Sequence, residues 1–326
     1  MLIKHLHIKT ETIPLIKPFK TALRIVEEIE NIIVEIVLED GTTGIGAAAP
    51  TFVITGDSRE SIEAALVGPI RSSLIGKDVT QLNGLLKAVQ ECCVGNTSAK
   101  AAADIALHNV YCNYLGISVS SYLGGRRKLS TCMTVGVDAV DVMQEEAKRA
   151  VAAGYSVLKV KVGDDAELDI ERMAAILAVV PRTVMLRLDA NQGWTPKEAV
   201  RLIRRFEELA YPIEFIEQPV KAWNLEGLKY VRDRVSTPIM ADESVFSAKD
   251  AMRLIEGGYV DLLNIKLMKC GGIAETMKIA SVAEVKGVAC MIGSMMESSI
   301  SVAAAAQVAA VEPTHLMYAG EMVEIV

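Results

Sequence analysis

The chain has 326 residues, 51% of them hydrophobic but only 5% aromatic, and a formal net charge of −7. That length suits two modest domains or one large α/β barrel with an attachment, built around an aliphatic core. The acidic balance argues against a general binder of nucleic acid or anionic membranes. No uncharged apolar run reaches the ~18 residues of a membrane span, and residues 1–8 lack the basic-then-apolar order of a signal peptide. The six cysteines have no CxxC spacing and the four histidines are scattered, so neither a disulfide framework nor a zinc site is indicated. A reduced, cytoplasmic protein is expected.

Residues 1 to about 55 read as an antiparallel meander, with strands at 8–15, 32–39 and 44–49 and a hairpin turn at Asp40-Gly41. The link Lys17-Pro18-Phe19-Lys20-Thr21-Ala22-Leu23-Arg24 reads as a long loop carrying basic and aromatic groups. A second loop spans 50–57, and such loops often carry function. Helical segments at 58–73, 79–93 and 97–114 complete an α+β domain of residues 1–115, and Ser98-Ala99-Lys100-Ala101-Ala102-Ala103 is small enough for close helix packing. In the second domain, 116–326, strand and helix alternate from about 130 onward. Strands are expected at 131–136, 157–162, 184–189, 213–217, 238–242, 261–266, 289–293 and 314–318. Repeated βα units of this kind form a parallel sheet, and about eight of them favour a closed barrel over an open doubly wound sheet. There is no GxGxxG after a strand and no GxxxxGK[ST], so a nucleotide fold has no support.

The stretch Leu158-Lys159-Val160-Lys161-Val162 places Leu158, Val160 and Val162 on one strand face and both lysines on the other. Two lysines on a buried face are expensive, and an edge strand with its basic face in water is the bland alternative. The steps from Lys161 to Asp189, Glu217, Asp242 and Lys266 are 28, 28, 25 and 24 residues. Each is one βα unit, so all five side chains converge on one barrel mouth. Three adjacent carboxylates call for a cation between them, and an all-oxygen set favours Mg²⁺. A lysine on each side of such a site is equipment for removing a proton α to a carboxylate. Lys159, two residues from Lys161, would lower its pKa. Asn191 and Glu243 read as supporting or capping groups.

These residues resemble the enolase superfamily: Lys159-x-Lys161, Asp189-Ala190-Asn191-Gln192-Gly193-Trp194, Glu217-Gln218-Pro219, Ala241-Asp242-Glu243-Ser244 and Asn264-Ile265-Lys266. Within it the chain is similar to the muconate-lactonizing subgroup, and most of all to its dipeptide epimerases. The resemblance implies a capping domain over a (β/α)₇β barrel, with Asp189, Glu217 and Asp242 as Mg²⁺ ligands and Lys161 and Lys266 as the acid/base pair. It implies that Arg24 binds a distal substrate carboxylate, that Ile54 and Thr55 belong to a second capping loop, and that Ser294 and Glu297 line the substrate pocket. Related activities stay open: o-succinylbenzoate synthase, N-acylamino acid racemase and muconate cycloisomerase, as does a non-catalytic binding protein on a decayed barrel. Homo-oligomers are common in the superfamily.

The chain departs from the family pattern at Gly46-Ala47-Ala48-Ala49-Pro50, at Asn109, and over residues 314–322. In that last region the epimerases carry an Asp-x-Asp for the dipeptide ammonium, where Glu321 or Glu324 would have to substitute, and their closing segment extends past the position of Val326.

Overall fold

The computed structural model describes residues 1–125 and 128–311, and the backbone of 317–319. The first unit is a three-stranded antiparallel sheet, β1 (Ile3–Lys20), β2 (Ile25–Leu38) and β3 (Thr43–Ala48), ordered β1-β2-β3. The segment 17–24, read from sequence as a loop, is strand over its first half. Phe19 and Lys20 pair with Val26 and Ile25, leaving only residues 21–24 as the tip of a long hairpin. β1 is an edge strand, which is why it accommodates Pro14 and Pro18, and its register shifts between Pro14 and Phe19. The expected helix over 58–73 is interrupted by Pro69. Without an amide hydrogen this residue cannot continue the α-helical ladder, so Leu66–Ile70 forms a π-helical turn between Arg59–Ala65 and Arg71–Leu74.

The spine of this unit is the helix Thr97–Leu115, with Ala99, Ala101, Ala102, Ala103 and Ala106 fully buried. Its small residues let β3 approach as closely as backbone allows: a Cβ on Gly46 would collide with the Ala102 carbonyl, and one on Gly44 with the Val110 backbone. Asn109 accepts from Ile45 N at 2.9 Å and so pins β3 to the same helix. Asp104 reaches out of it, accepting from Ile273 N at 2.7 Å and Ala274 N at 3.3 Å. It thereby caps the helix Ile273–Val285 of the second unit.

That second unit is a curled sheet of eight parallel strands in sequence order: β4 (Met133–Val135), β5 (Val157–Lys161), β6 (Met185–Asp189), β7 (Ile213–Glu217), β8 (Ile239–Ala241), β9 (Leu262–Lys266), β10 (Ala289–Gly293) and β11 (Met317–Ala319). Helices follow each strand from β4 to β10, and apolar faces such as Ala199, Leu202, Ile203 and Phe206 of Pro196–Glu208 cover the sheet. The apolar stretch 300–311 supplies another, Ser299–Ala309. Among the described residues, no helix is long and apolar enough to cross a membrane.

His108 lies one turn beyond Asp104, 3% exposed, with its Nδ1 3.1 Å from the Asp104 carboxylate. Burial alone would lower its pKa, but the Asp104 charge and hydrogen bonds outweigh it and raise it above the usual 6.5. A raised folded-state pKa gives a stabilisation that is complete below the unfolded value and is lost as pH rises through the folded one. The stability gap between the wild type and His108→Gln, measured by urea unfolding, is therefore expected to be larger at pH 6 than at pH 9. A gap that widens with pH contradicts this.

Candidate active site

β5 lies between β4 and β6, so its lysines are not on an edge. Leu158 and Val160 are fully buried beneath helices, while Lys159 and Lys161, each 2% exposed, face inward. Register carries the alignment across the sheet: Lys161 stands opposite Asp189, and Asp189 opposite Glu217. Asp242 follows the last residue of β8, and Lys266 ends β9. Asp189, Glu217 and Asp242 are fully buried, and their carboxylate oxygens lie within 4.8 Å of one another.

The lysines interleave with these acids. Lys161 Nζ is 2.8 Å from Asp189 Oδ2, and Lys266 Nζ 2.8 Å from Asp242 Oδ2. Lys159 Nζ bridges Asp189 Oδ2 at 2.9 Å and Glu217 Oε2 at 3.0 Å. Burial pushes the acids up, but Lys159 and Lys161 at Asp189, and Lys266 and Lys269 at Asp242, hold both carboxyls well below the usual range. Glu217 goes the other way: burial, reinforced by the Asp189 charge, pushes it up to about 7. Glu243 is likewise pushed up to about 8 by burial and then by Asp242. Three converging buried carboxylates, one of them destabilised by its neighbour's charge, form a donor set that fits a hard divalent cation.

The turns that present this set are strained. Asn191, Gln192 and Gln218, just beyond β6 and β7, adopt φ of 41°, 69° and 36°. Each such conformation costs about 1–3 kcal/mol and persists only where its surroundings impose it. Asn191 N donates to Asp189 Oδ1 at 2.9 Å, and its Nδ2 to Glu243 Oε1 at 3.3 Å. Gln218 Oε1 accepts from Asp242 N at 2.9 Å and Ser244 N at 3.2 Å, lacing the β7 turn to the β8 turn.

Loops of the first unit approach this set. The Phe19 ring lies 6.0 Å from Lys161 Nζ. Arg24 lines a cavity of about 610 Å³ together with Glu27, Glu28, Glu30, Pro50 and Met296, so the hairpin tip meets the loop after β10. Ile54 and Thr55 sit in the short helix Phe52–Thr55, which packs on Leu267–Cys270 immediately after Lys266. Ser294 and Glu297 are buried in the β10 turn, where Glu297 Oε1 accepts from Met295 N at 2.7 Å. β11 pairs with β10 through Met317, Tyr318 and Ala319, while Glu321 and Glu324 lie outside the described residues.

Sequence reading gave no role to several residues that shape the site. Asn264, on the same face of β9 as Lys266, donates from Nδ2 to Glu217 Oε1 at 2.7 Å, and strand alternation could have found it. Asp169 accepts from Gly163 N at 2.8 Å and Trp194 Nε1 at 3.1 Å, tying the turns after β5 and β6 together. It sits on a helix and had no signal of its own. Lys269, three residues past β9, also carried none.

Comparison with known proteins agrees with this geometry. Residues 4–124 match the family model of the mandelate racemase / muconate lactonizing enzyme N-terminal domain, and residues 142–323 that of the enolase C-terminal domain-like fold. The chain belongs to this enolase superfamily. It is 49% identical to the L-Ala-D/L-Glu epimerase of Clostridium acetobutylicum over 95% of its own length and 87% of that protein's. It is 42% identical to a hydrophobic dipeptide epimerase of Enterococcus faecalis, covering 96% of this chain and 88% of that one. Among solved structures, a substrate-liganded complex of the Bacillus subtilis L-Ala-D/L-Glu epimerase superposes with a TM-score of 0.96 at 44% identity, covering 98% of this chain and 89% of that one. The E. faecalis dipeptide epimerase with Mg and L-Leu-L-Tyr does so with a TM-score of 0.94 at 39% identity, over 99% and 90% of the two chains.

Replacing Gln218 by Leu leaves the Asp242 and Ser244 amides without their acceptor. The buried Asp242 N–H so orphaned costs about 1–3 kcal/mol, and the partly buried Ser244 N–H adds less. A loss of stability in that range is expected from chemical denaturation, and a neutral substitution would show that the lacing between these turns is dispensable.

Proposed function

We propose that this chain is a Mg²⁺-dependent dipeptide epimerase of the L-Ala-D/L-Glu type that works by 1,1-proton transfer. Residues 1–115 serve as the cap and 116–326 as the catalytic barrel. One observation carries the reading: the three carboxylate strands β6, β7 and β8 are flanked by β5 and β9, each ending in a buried lysine, Lys161 and Lys266. An enzyme that only removed a proton, or only added one, would need a single base. A lysine on each side lets a proton leave one face of a planar intermediate and return to the other.

Asp189, Glu217 and Asp242 would hold the metal. A Mg²⁺ ion held there would supply positive charge beside the substrate carboxylate, where negative charge develops as the α-proton leaves. Lys161 and Lys266 exchange roles with direction: the neutral amine takes the α-proton on its Nζ while the opposing ammonium delivers one. Lys159, held between Asp189 and Glu217, adds a fixed positive charge where negative charge develops. Phe19 and the loops around Arg24 and Ile54 exclude water from Lys161 and its partners. Arg24 receives the distal carboxylate of a glutamyl residue, and Thr55, Ser294 and Glu297 bound the remaining substrate surface. Asn191 and Glu243 orient the carboxylate turns.

The test is ¹H NMR in D₂O with Mg²⁺, offering L-Ala-L-Glu, a panel of hydrophobic dipeptides and a set of N-acylamino acids. Loss of the α-proton signal of the C-terminal residue, with the other epimer appearing, is the expected result for at least one dipeptide. Exchange in N-acylamino acids alone would reassign the substrate class. Silence across the whole panel would overturn the epimerase reading.

A further inference from the structure

Lys269 takes no part in the chemistry above, yet it is 0% exposed and lies against the acidic cluster. It sits in the single helical turn Leu267–Cys270 that leaves β9 directly after Lys266. Its Nζ donates to Asp242 Oδ1 at 2.6 Å, to Asn264 O at 3.0 Å, and to the Asp242 carbonyl. The ammonium group has three protons, and three acceptors take them. The Phe246 ring lies on another side, its centroid 5.8 Å from Nζ.

A lysine withdrawn completely from water is costly unless its charge does something an apolar side chain of the same length could not. Here one nitrogen grips the main chain and the side chain of the same residue. Fixing the Asp242 carbonyl places its Cα, and fixing Oδ1 sets the torsion of the carboxylate, so the direction of Oδ2 is determined as well. Oδ2 is the oxygen that Lys266 meets at 2.8 Å. The two lysines thus divide the carboxylate between them, and only Lys269 also holds the backbone.

We propose that Lys269 is a positioning residue of the cation site, locking the Asp242 carboxylate in the orientation that converges with Asp189 and Glu217. This rests on the reading of that triad as the Mg²⁺ site. The proposal has a sign that a merely electrostatic role would reverse. A positive charge beside a cation site repels the cation, so a simple counter-charge would on removal let Mg²⁺ bind more tightly. A clamp on removal lets a ligand swing away, and Mg²⁺ binds more weakly.

The experiment is calorimetric titration of MgCl₂ alone, without substrate, into the wild type, Lys269→Met and Lys269→Arg, with circular dichroism to verify folding. A rise in Kd of tenfold or more in Lys269→Met, partly restored by Lys269→Arg, is the expected result. An unchanged or lower Kd in folded Lys269→Met overturns the proposal while leaving the triad as a metal site. If Lys269→Met does not fold, Lys269→Arg decides. It keeps the charge but cannot place one nitrogen on all three acceptors, so a several-fold rise in Kd supports the clamp and an unchanged Kd overturns it. A wild type that does not bind Mg²⁺ at all would overturn the metal-site reading, and the proposal with it.

Discussion

Eight ionisable side chains hold one another in place at one end of the curled sheet. Lys159, Lys161, Lys266 and Lys269 face Asp189, Glu217, Asp242 and Glu243, and none of the eight is more than 6% exposed. Taking any one of them out of water alone would cost several kcal/mol, so the set is stable only as a set. The consequence reaches every turn at that end of the sheet. Asn191, Gln218 and Asn264 are present because the carboxylates need donors and the backbone needs fixed positions, and the positive φ at Asn191 and Gln218 is the strain this imposes. Beneath these groups lie Cys132, Phe215, Met240 and Met291, with the buried Arg187 guanidinium over the Phe215 ring and paired to Glu214 at 2.7 Å.

The first unit packs against the second. Its helix Thr97–Leu115 is composed of residues small enough to let β3 and the helix Ile273–Val285 press against it, and Asp104 makes the junction directional by capping the second helix. A further set of contacts braces the hairpin: Lys20 pairs with Asp138 at 2.7 Å, Val137 N donates to Lys20 O, and Arg172 Nε holds the Asp138 carbonyl. These contacts bring Phe19 over Lys161 and Arg24 beside Met296. The hairpin is therefore positioned from the second unit by an ion pair and a backbone hydrogen bond, as well as by its own strand pairing.

Much of this was legible in the chain because it depends on periodicity. The parallel strands fall within a few residues of where the repeat puts them, and β7 and β10 coincide with the expected 213–217 and 289–293. The lysine and carboxylate positions follow from strand alternation plus the repeat length. Contacts that break a period were not legible. The end of β1, Lys17-Pro18-Phe19-Lys20, carries two lysines and a proline, so nothing in its composition distinguished a paired edge strand from a loop, and only its backbone partners in β2 define it. Lys269 lies beyond the end of a strand, in a turn where no face is defined, and its burial is a tertiary fact. His108 and Asp104, one turn apart on a helix, look like an ordinary exposed pair until the helix proves to be buried.

In the proposed mechanism two lysines on opposite sides of one acidic triad divide a single proton transfer between them. It is tested most directly by following α-proton exchange in D₂O for each epimer of a turned-over substrate separately, in Lys161→Ala and in Lys266→Ala. Epimerisation is expected to vanish in both variants. Each should still exchange the α-proton of one epimer without inverting it, and the two variants should retain opposite epimers. If either variant still epimerises, or if both retain exchange on the same epimer, the two lysines do not face opposite sides of the substrate.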